Sequence, residues 1–339
     1  MSDRIAVVGA GAWGTTLADL LARKGHAVKL WAREPEVVDS VNRERVNAMF
    51  LPGAALDPRL VATDDLPAAV RGAGVIVSAV PSHALHAVMH SAVECVTGTP
   101  LVVSVSKGLD PERLLTLSRV LAELFDPKAK GGRSRIAVLS GPSFAREVYE
   151  RQPTALVAAA GDHDVAQQVQ QVFSTSTFRV YSHTDMVGVE LGGALKNVIA
   201  IATGIIEGLG LGHNPRAAVI TRGLAELTRL GVALGADPLT FAGLAGLGDL
   251  VLTATGPQSR NRSLGVELGR GRRLEEIQGE RKSVAEGVQT ARAATALAER
   301  EGVELPITRE VNEILFRGKA PRTAVADLME RELKREQWR

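Results

Sequence analysis

Residues 4–14, Arg4-Ile5-Ala6-Val7-Val8-Gly9-Ala10-Gly11-Ala12-Trp13-Gly14, carry an apolar, β-branched run straight into the spacing G-x-G-x-x-G. The residues that follow repeat apolar positions at helical spacing, at Leu17, Leu20 and Leu21. The pattern predicts strand, tight turn and helix, the setting in which such glycines bind a dinucleotide. Each glycine has its own expected task. Gly9 makes the turn, Gly11 leaves room for a pyrophosphate against the backbone, and Gly14 lets the helix pack closely on the strand. The free N–H groups and partial positive charge of the helix N-terminus would then face the phosphates.

Beyond this unit, residues 26–32 read as a second strand and residues 34 to about 45 as a charged helix, which closes a βαβ unit. Folds selective for NAD place an acidic residue at the end of that second strand. Here Ala32-Arg33 stands there. An arginine suits a 2′-phosphate, so NADP is accepted or preferred; the other reading of Arg33 is a solvated charge opening the next helix. Residues 74–80, 100–105 and 135–140 are near-continuous apolar runs, as in strands buried on both faces of a parallel sheet. They end in Pro81-Ser82-His83, Ser106-Lys107-Gly108 and Gly141-Pro142-Ser143, turns expected to face the same crevice as the glycine turn. Lys107 is therefore a candidate by position, against the usual fate of lysine as a solvated charge. Residues 155–160 and 177–181 predict further strands around a helix over about 162–173, and residues 128–133 a polar loop. Strand signals stop at Asp185. The expected architecture is α/β: a doubly wound cofactor-binding domain over residues 1–183, then an all-helical domain over 184–339.

In the helical part, Leu191, Leu195, Val198, Ala202, Ile205 and Leu209 form one apolar stripe of a long helix. Lys196 and Asn197 interrupt it. Gly192, Gly193 and Ala200 lie about a turn from Lys196, and such small residues would clear space for a flat or bulky ligand; the plainer reading is a lysine snorkelling to the surface. Further helices are expected at about 215–234, 246–253, 260–269, 287–301, 306–316 and 321–332. Gly246-Leu247-Gly248-Asp249-Leu250 sets a carboxylate among glycines at a turn. Ser259-Arg260-Asn261 stands at an expected helix N-terminus, where a phosphate would meet N–H groups, a dipole, a guanidinium and an amide together.

A chain of 339 residues suits two domains of ordinary size. Forty lysines and arginines against 38 acidic residues leave no basic stripe, and 4% aromatics leave few stacking platforms, so nucleic-acid binding is excluded. Small anionic ligands fit. Cys95 is the only cysteine, which excludes an intrachain disulfide and fits a reducing compartment. The first strand begins almost at Met1, leaving no room for a secretory leader, so a cytoplasmic location is expected. Residues 194–211 are apolar but interrupted by Lys196, Asn197 and Glu207, which reads as a buried helix and not a membrane span. His83, His86 and His90 share one helix face at a spacing that can bind a metal. No carboxylate or cysteine completes such a set, so no metal is expected. Ser143 lacks the G-x-S-x-G elbow of a serine hydrolase.

Six segments, taken in order, carry a resemblance through nearly the whole chain: residues 9–15, Ser106-Lys107-Gly108, Gly141-Pro142-Ser143-Phe144-Ala145, Glu190-Leu191 with Ala194-Leu195-Lys196-Asn197, residues 246–250 and Ser259-Arg260-Asn261-Arg262. They resemble the NAD(P)-dependent glycerol-3-phosphate dehydrogenases of the bacterial type. The resemblance implies a Rossmann-type domain joined to a helical domain like that of 6-phosphogluconate dehydrogenase, with the active site between them. The implied reaction interconverts sn-glycerol 3-phosphate and dihydroxyacetone phosphate with NAD or NADP, and supplies glycerol 3-phosphate for phospholipid synthesis. By the same resemblance, Lys196 is the proton acceptor and donor at the C2 oxygen. Lys107, Gly141, Ser143, Asp249, Ser259, Arg260 and Asn261 share the substrate site, with Arg260 and Asn261 on the phosphate. Gly9, Gly11, Ala12, Trp13, Gly14, Arg33, Phe50, Lys107, Ala145, Arg260, Val284 and Glu286 fall at cofactor positions. Ala12 stands where many members have serine, and Phe50 where many have tyrosine or histidine.

The chemistry agrees with these roles. Oxidising a secondary alcohol needs a base for the hydroxyl proton, and a lysine serves only if its pKa is lowered. Nearby Lys107 and Arg260, with partial burial, are expected to do this. Two other readings use the same build: a dehydrogenase of a β-hydroxy acid or ketopantoate-like substrate, which needs a carboxylate clamp, and a non-catalytic nicotinamide sensor. A homodimer is expected because the helical domain has apolar surface to spare.

Overall fold

In the computed structural model, which describes residues 4–129, 134–280, 285–333 and 335–336, strand β1 (Arg4–Val8) is buried from Ile5 onward. Ile5 and Val7 join one hydrophobic cluster while Ala6 and Val8 join another, so the strand is covered on both faces. Helix α1 (Ala12–Arg23) follows the glycine turn, and β2 (Ala27–Trp31) returns parallel to β1.

The helix expected over 34–45 is instead a short α2 (Pro35–Asp39) running into a π-helical turn, Ser40–Glu44. Here a tertiary tie overrides local propensity: Asn42 bonds both backbone groups of Ala62, each at 2.9 Å. Next come a hairpin, β3 (Val46–Asn47) with β4 (Leu51–Ala55), then β5 (Val61–Thr63) and α3 (Leu66–Val70). The remaining sheet elements are β6 (Val75–Ser78), α4 (Ser82–Val93), β7 (Leu101–Ser104), α5 (Leu117–Phe125), β8 (Ile136–Ser140), α6 (Ala145–Tyr149), β9 (Thr154–Ala159), α7 (His163–Phe173) and β10 (Phe178–His183). Most of the loop expected over 128–133 lies outside the described residues.

The sheet runs β10-β9-β8-β7-β6-β1-β2-β5. Its neighbours are parallel except β8 and β9, which are antiparallel. The turn and short α6 between those two strands return the chain in the opposite sense, so β9 and its parallel partner β10 run against the rest of the sheet.

The helical half is built around α8 (Met186–Gly208), which is buried continuously from Gly188 to Ile206. It is long and apolar enough to cross a membrane, yet its apolar window is wholly enclosed by protein. Helices α9 (His213–Ala233), α10 (Asp249–Thr255), α11 (Arg260–Gly269), α12 (Leu274–Glu280), α13 (Glu286–Glu301), α14 (Pro306–Arg317) and α15 (Pro321–Met329) complete it. Helix α12 has no counterpart among the expected helices. The approach of α8 to α11 depends on glycines: a side chain at Gly265 would overlap the Ile201 carbonyl, and one at Gly204 the Arg262 carbonyl. This contact brings the start of α11 against the middle of α8.

Candidate active site

The glycine turn explains two of its glycines by protein contacts and one by open space. Gly9 has φ 113°, and a Cβ there would lie 2.7 Å from the Ala79 carbonyl oxygen. A Cβ at Gly14 would overlap the carbonyl of Gly9. Gly11, the N-cap of α1, has an ordinary φ of −63°, and a Cβ there would meet no protein atom within 4 Å. Neither backbone nor packing requires glycine at this position, so the cradle in front of it fits a ligand pressed against the chain.

The other expected cofactor positions are spread around this turn. Ala12 and Trp13 open α1, and the Trp13 ring lies tilted 6.4 Å from that of Phe178. Phe50 packs on the same core, and the Ala145 carbonyl accepts from Thr16 Oγ1 at 3.3 Å, joining α6 to α1. Arg33 lies just past β2 with its side chain 83% exposed and paired to Glu34 at 2.8 Å. Val284 lies outside the described residues.

Lys107, in the turn after β7, donates to the Gly141 carbonyl at 3.0 Å and to Asp249 Oδ2 at 2.6 Å. Ser143 Oγ donates to the same Gly141 carbonyl at 3.0 Å. Gly141 has φ 142°, and a Cβ there would press on Leu156, so the turn after β8 requires glycine. Asp249 opens α10 and is fully buried. Its other oxygen, Oδ1, accepts from Lys196 Nζ at 2.5 Å, and Lys196 also donates to Thr253 Oγ1 at 2.7 Å. Three segments far apart in sequence thus converge on one carboxylate.

The reading of Lys196 from sequence is corrected in two respects, the role of the small residues and that of Arg260, and the alternative of a snorkelling lysine is overturned. The small residues around it make room for protein: a Cβ at Gly192 would lie 2.6 Å from the Ala245 carbonyl oxygen, and one at Gly193 would lie 2.5 Å from Ser140 Oγ. The lysine does not snorkel, since only 6% of it is exposed. Burial is the main force lowering its pKa, to about 7, with the Lys107 charge adding to it and Asp249 opposing. The charge of Arg260 falls on Glu286 instead.

At the start of α11, Ser259 Oγ accepts from the Arg262 N–H at 3.2 Å, which caps the helix where expected. Asn261 donates to Asn197 Oδ1 at 2.9 Å and accepts from the Gly287 N–H at 3.0 Å, tying α11 to α8 and α13. Glu286 opens α13; burial pushes its carboxyl up, while Arg260, Lys107 and Lys196 pull it down. Arg260 and the two lysines therefore act on one region. Thr253 was not anticipated from sequence. Its signal is its place one turn after Asp249 on the same helix face. His86, from the histidine face of α4, pairs with Arg113 at 2.7 Å and lies against His90.

Comparison with known proteins covers both halves. Residues 4–166 match the family described as NAD-dependent glycerol-3-phosphate dehydrogenase N-terminus, and residues 185–326 the corresponding C-terminus. The chain is 54% identical over 336 residues to a glycerol-3-phosphate dehydrogenase [NAD(P)+] of Citrifermentans bemidjiense, covering 99% of each chain. It is also 54% identical to the protein of that name in Geobacter sulfurreducens, covering all of both. Among solved structures, a glycerol-3-phosphate dehydrogenase from Coxiella burnetii superposes with a TM-score of 0.92 at 41% identity, over 97% of this chain and 99% of that one.

Proposed function

The chain belongs to the NAD-dependent glycerol-3-phosphate dehydrogenase family, and from this and the geometry above we propose that Lys196 is the proton acceptor and donor at the C2 oxygen. The protein is an oxidoreductase that uses NAD or NADP to interconvert sn-glycerol 3-phosphate and dihydroxyacetone phosphate. The observation that carries the proposal is the chain Lys196–Asp249–Lys107, in which a nearly buried amine is held on a fully buried carboxylate.

When bound, the nicotinamide accepts or supplies the hydride at C2. The residues of this chain do the rest. A lysine whose pKa lies at about 7 is partly neutral near neutrality, so Lys196 can take the hydroxyl proton in oxidation and return it in reduction. Asp249 fixes its position, and Lys107 contributes a second positive charge where an alkoxide develops. Ser259, Arg260 and Asn261 offer a helix N-terminus, a guanidinium and an amide to the phosphate. Gly141 and Ser143 shape the turn that meets Lys107.

The open space at Gly11 supports a pyrophosphate there, with Gly9 and Gly14 building the turn and Ala12, Trp13, Phe50, Ala145 and Glu286 around the cofactor. Exposed Arg33, at the end of β2, is the residue we assign to the 2′-phosphate of NADP. In this reading residues 1–183 hold the cofactor and residues 184–339 supply the substrate half. Supply of glycerol 3-phosphate to phospholipid synthesis in the cytoplasm belongs to the same proposal. So does a homodimer, for which exposed Leu239, Leu247 and Val251 supply apolar surface.

Initial rates of dihydroxyacetone phosphate reduction by NADPH and by NADH, with free dihydroxyacetone as control, test the reading. Turnover confined to the phosphorylated ketone is expected, with a preference for NADPH that falls in Arg33→Ser. Binding of both cofactors without turnover would instead favour a sensor, and equal use of free dihydroxyacetone would remove the phosphate site.

A further inference from the structure

Asn47 ends β3, in the hairpin between α2 and β5, and none of it is exposed. Its side-chain amide donates to the Ala10 carbonyl at 2.9 Å and to Thr15 Oγ1 at 2.8 Å, both on the glycine turn and the first turn of α1. Its oxygen accepts from the Phe50 N–H at 3.0 Å. Thr15 Oγ1 in turn donates to the Ala10 carbonyl at 3.1 Å, so that carbonyl has both lone pairs engaged.

This arrangement has a geometric consequence. The described peptides are trans, and in a planar trans peptide the C=O and the following N–H point in opposite directions. Clamping the Ala10 carbonyl toward Asn47 and Thr15 therefore holds the Gly11 N–H at the opposite edge of the same peptide plane, pointing away from both. Flanked by glycines, this peptide would otherwise be among the freest in the chain. Fixing it before a ligand arrives removes an ordering cost from binding.

We propose that Asn47 is a positioning residue for the dinucleotide: it locks the Ala10–Gly11 peptide in its pyrophosphate-binding orientation and couples the Phe50 hairpin to that turn. The proposal rests on the reading of the glycine turn as the cofactor site. Asn47 itself touches no reacting atom, and its effect is on cofactor affinity alone.

The test uses the full-length protein, with NADPH titrated calorimetrically in the absence of substrate and followed by steady-state kinetics. Asn47→Ala raises the NADPH Kd about tenfold or more, as expected for one to two buried hydrogen bonds. At saturating NADPH, kcat and the KM for dihydroxyacetone phosphate stay within about threefold of wild type. Thr15→Ala shows the same selectivity in smaller measure and carries the test if Asn47→Ala does not fold. Asn42→Ala is the structural control, because Asn42 bonds the Ala62 backbone in the same segment, away from the glycine turn. It lowers Tm but leaves the NADPH Kd within about twofold.

An unchanged Kd in Asn47→Ala, or in Thr15→Ala if that variant carries the test, overturns the proposal, as does an equal rise in Asn42→Ala. Gly11→Val separates the two levels of the argument, since a Cβ at this position meets no protein atom within 4 Å and the branched side chain extends into that open space. If Gly11→Val still binds NADPH, the cofactor reading fails and the role of Asn47 with it. If it loses NADPH while the Asn47 and Thr15 variants keep it, only the role of Asn47 fails.

Discussion

Lys107 and Lys196 occupy opposite oxygens of one carboxylate, that of Asp249, at 2.6 and 2.5 Å. With both lysines protonated, the set holds two cations on one anion in a nearly dry site. It is relieved either by loss of a proton from Lys196 or by arrival of an anion, and the reaction assigned to it involves both.

The pH dependence follows from this relationship. With Lys196 titrating at about 7, kcat/KM for glycerol 3-phosphate oxidation rises as pH passes through about 7, because the base must be neutral. Reduction, which needs the ammonium form, falls over the same interval. Lys107→Met removes the charge that helps hold the Lys196 pKa down, so both limbs move to higher pH. Profiles that stay in place would show that Lys107 does not tune Lys196.

Arg260 is predicted to act on substrate phosphate. Loss of a charge-assisted contact in Arg260→Leu raises the KM for dihydroxyacetone phosphate about 10- to 100-fold. An unchanged KM means that the phosphate binds elsewhere.

Two buried carboxylates make stability depend on pH. Glu226 caps α14 by accepting from the Ile307 and Thr308 N–H groups at 2.6 and 3.1 Å. Glu190 does the same for α5 through the Ser118 N–H at 2.8 Å. Burial raises each from the ordinary 4.5 to about 7. Between those values the folded protein binds more protons than the unfolded chain, so their contribution is full below about 4.5 and is lost as pH rises through about 7. Thermal unfolding at several pH values should show wild type losing stability relative to Glu226→Gln across this window. Parallel curves would contradict it.

The glycine contact between α8 and α11 is predicted to be intolerant. Gly265→Ala would press on the Ile201 carbonyl and on Gly204, both backbone, at an overpacking cost of about 1–3 kcal/mol. Separating these helices also draws Ser259–Asn261 away from Lys196 and Asn197. A lower Tm with a higher substrate KM is expected, whereas Gly279→Ala, which meets no neighbour and replaces a glycine within α12, leaves KM unchanged and does not lower Tm.

What could be read from sequence was local or periodic. Strands β1, β6, β7 and β8 announce themselves by unbroken apolar runs, and Gly9, Gly11 and Gly14 by their spacing. Lys196 is conspicuous because it breaks an apolar stripe. The hairpin of β3 and β4, with Pro52-Gly53 inside its second strand, and the brief β5 and α3 are too short to show a period. The antiparallel sense of β9 was hidden because a strand's own residues carry no direction. Partnerships were hidden by distance: Lys196 meets Asp249 from 53 residues away, and Asn47 meets Ala10 from 37. The same holds for the tight fit around Gly192, where the pattern of small residues was legible but the backbone that fills it was not.

The most direct test of the account is the turnover of Lys196→Ala at saturating NADPH and dihydroxyacetone phosphate, with NADPH affinity measured on the same preparation. Loss of the proton donor predicts a fall in kcat of about 10²- to 10⁴-fold, with NADPH affinity retained and partial recovery on adding a small primary amine. Near-normal turnover in that variant would remove Lys196 from the mechanism.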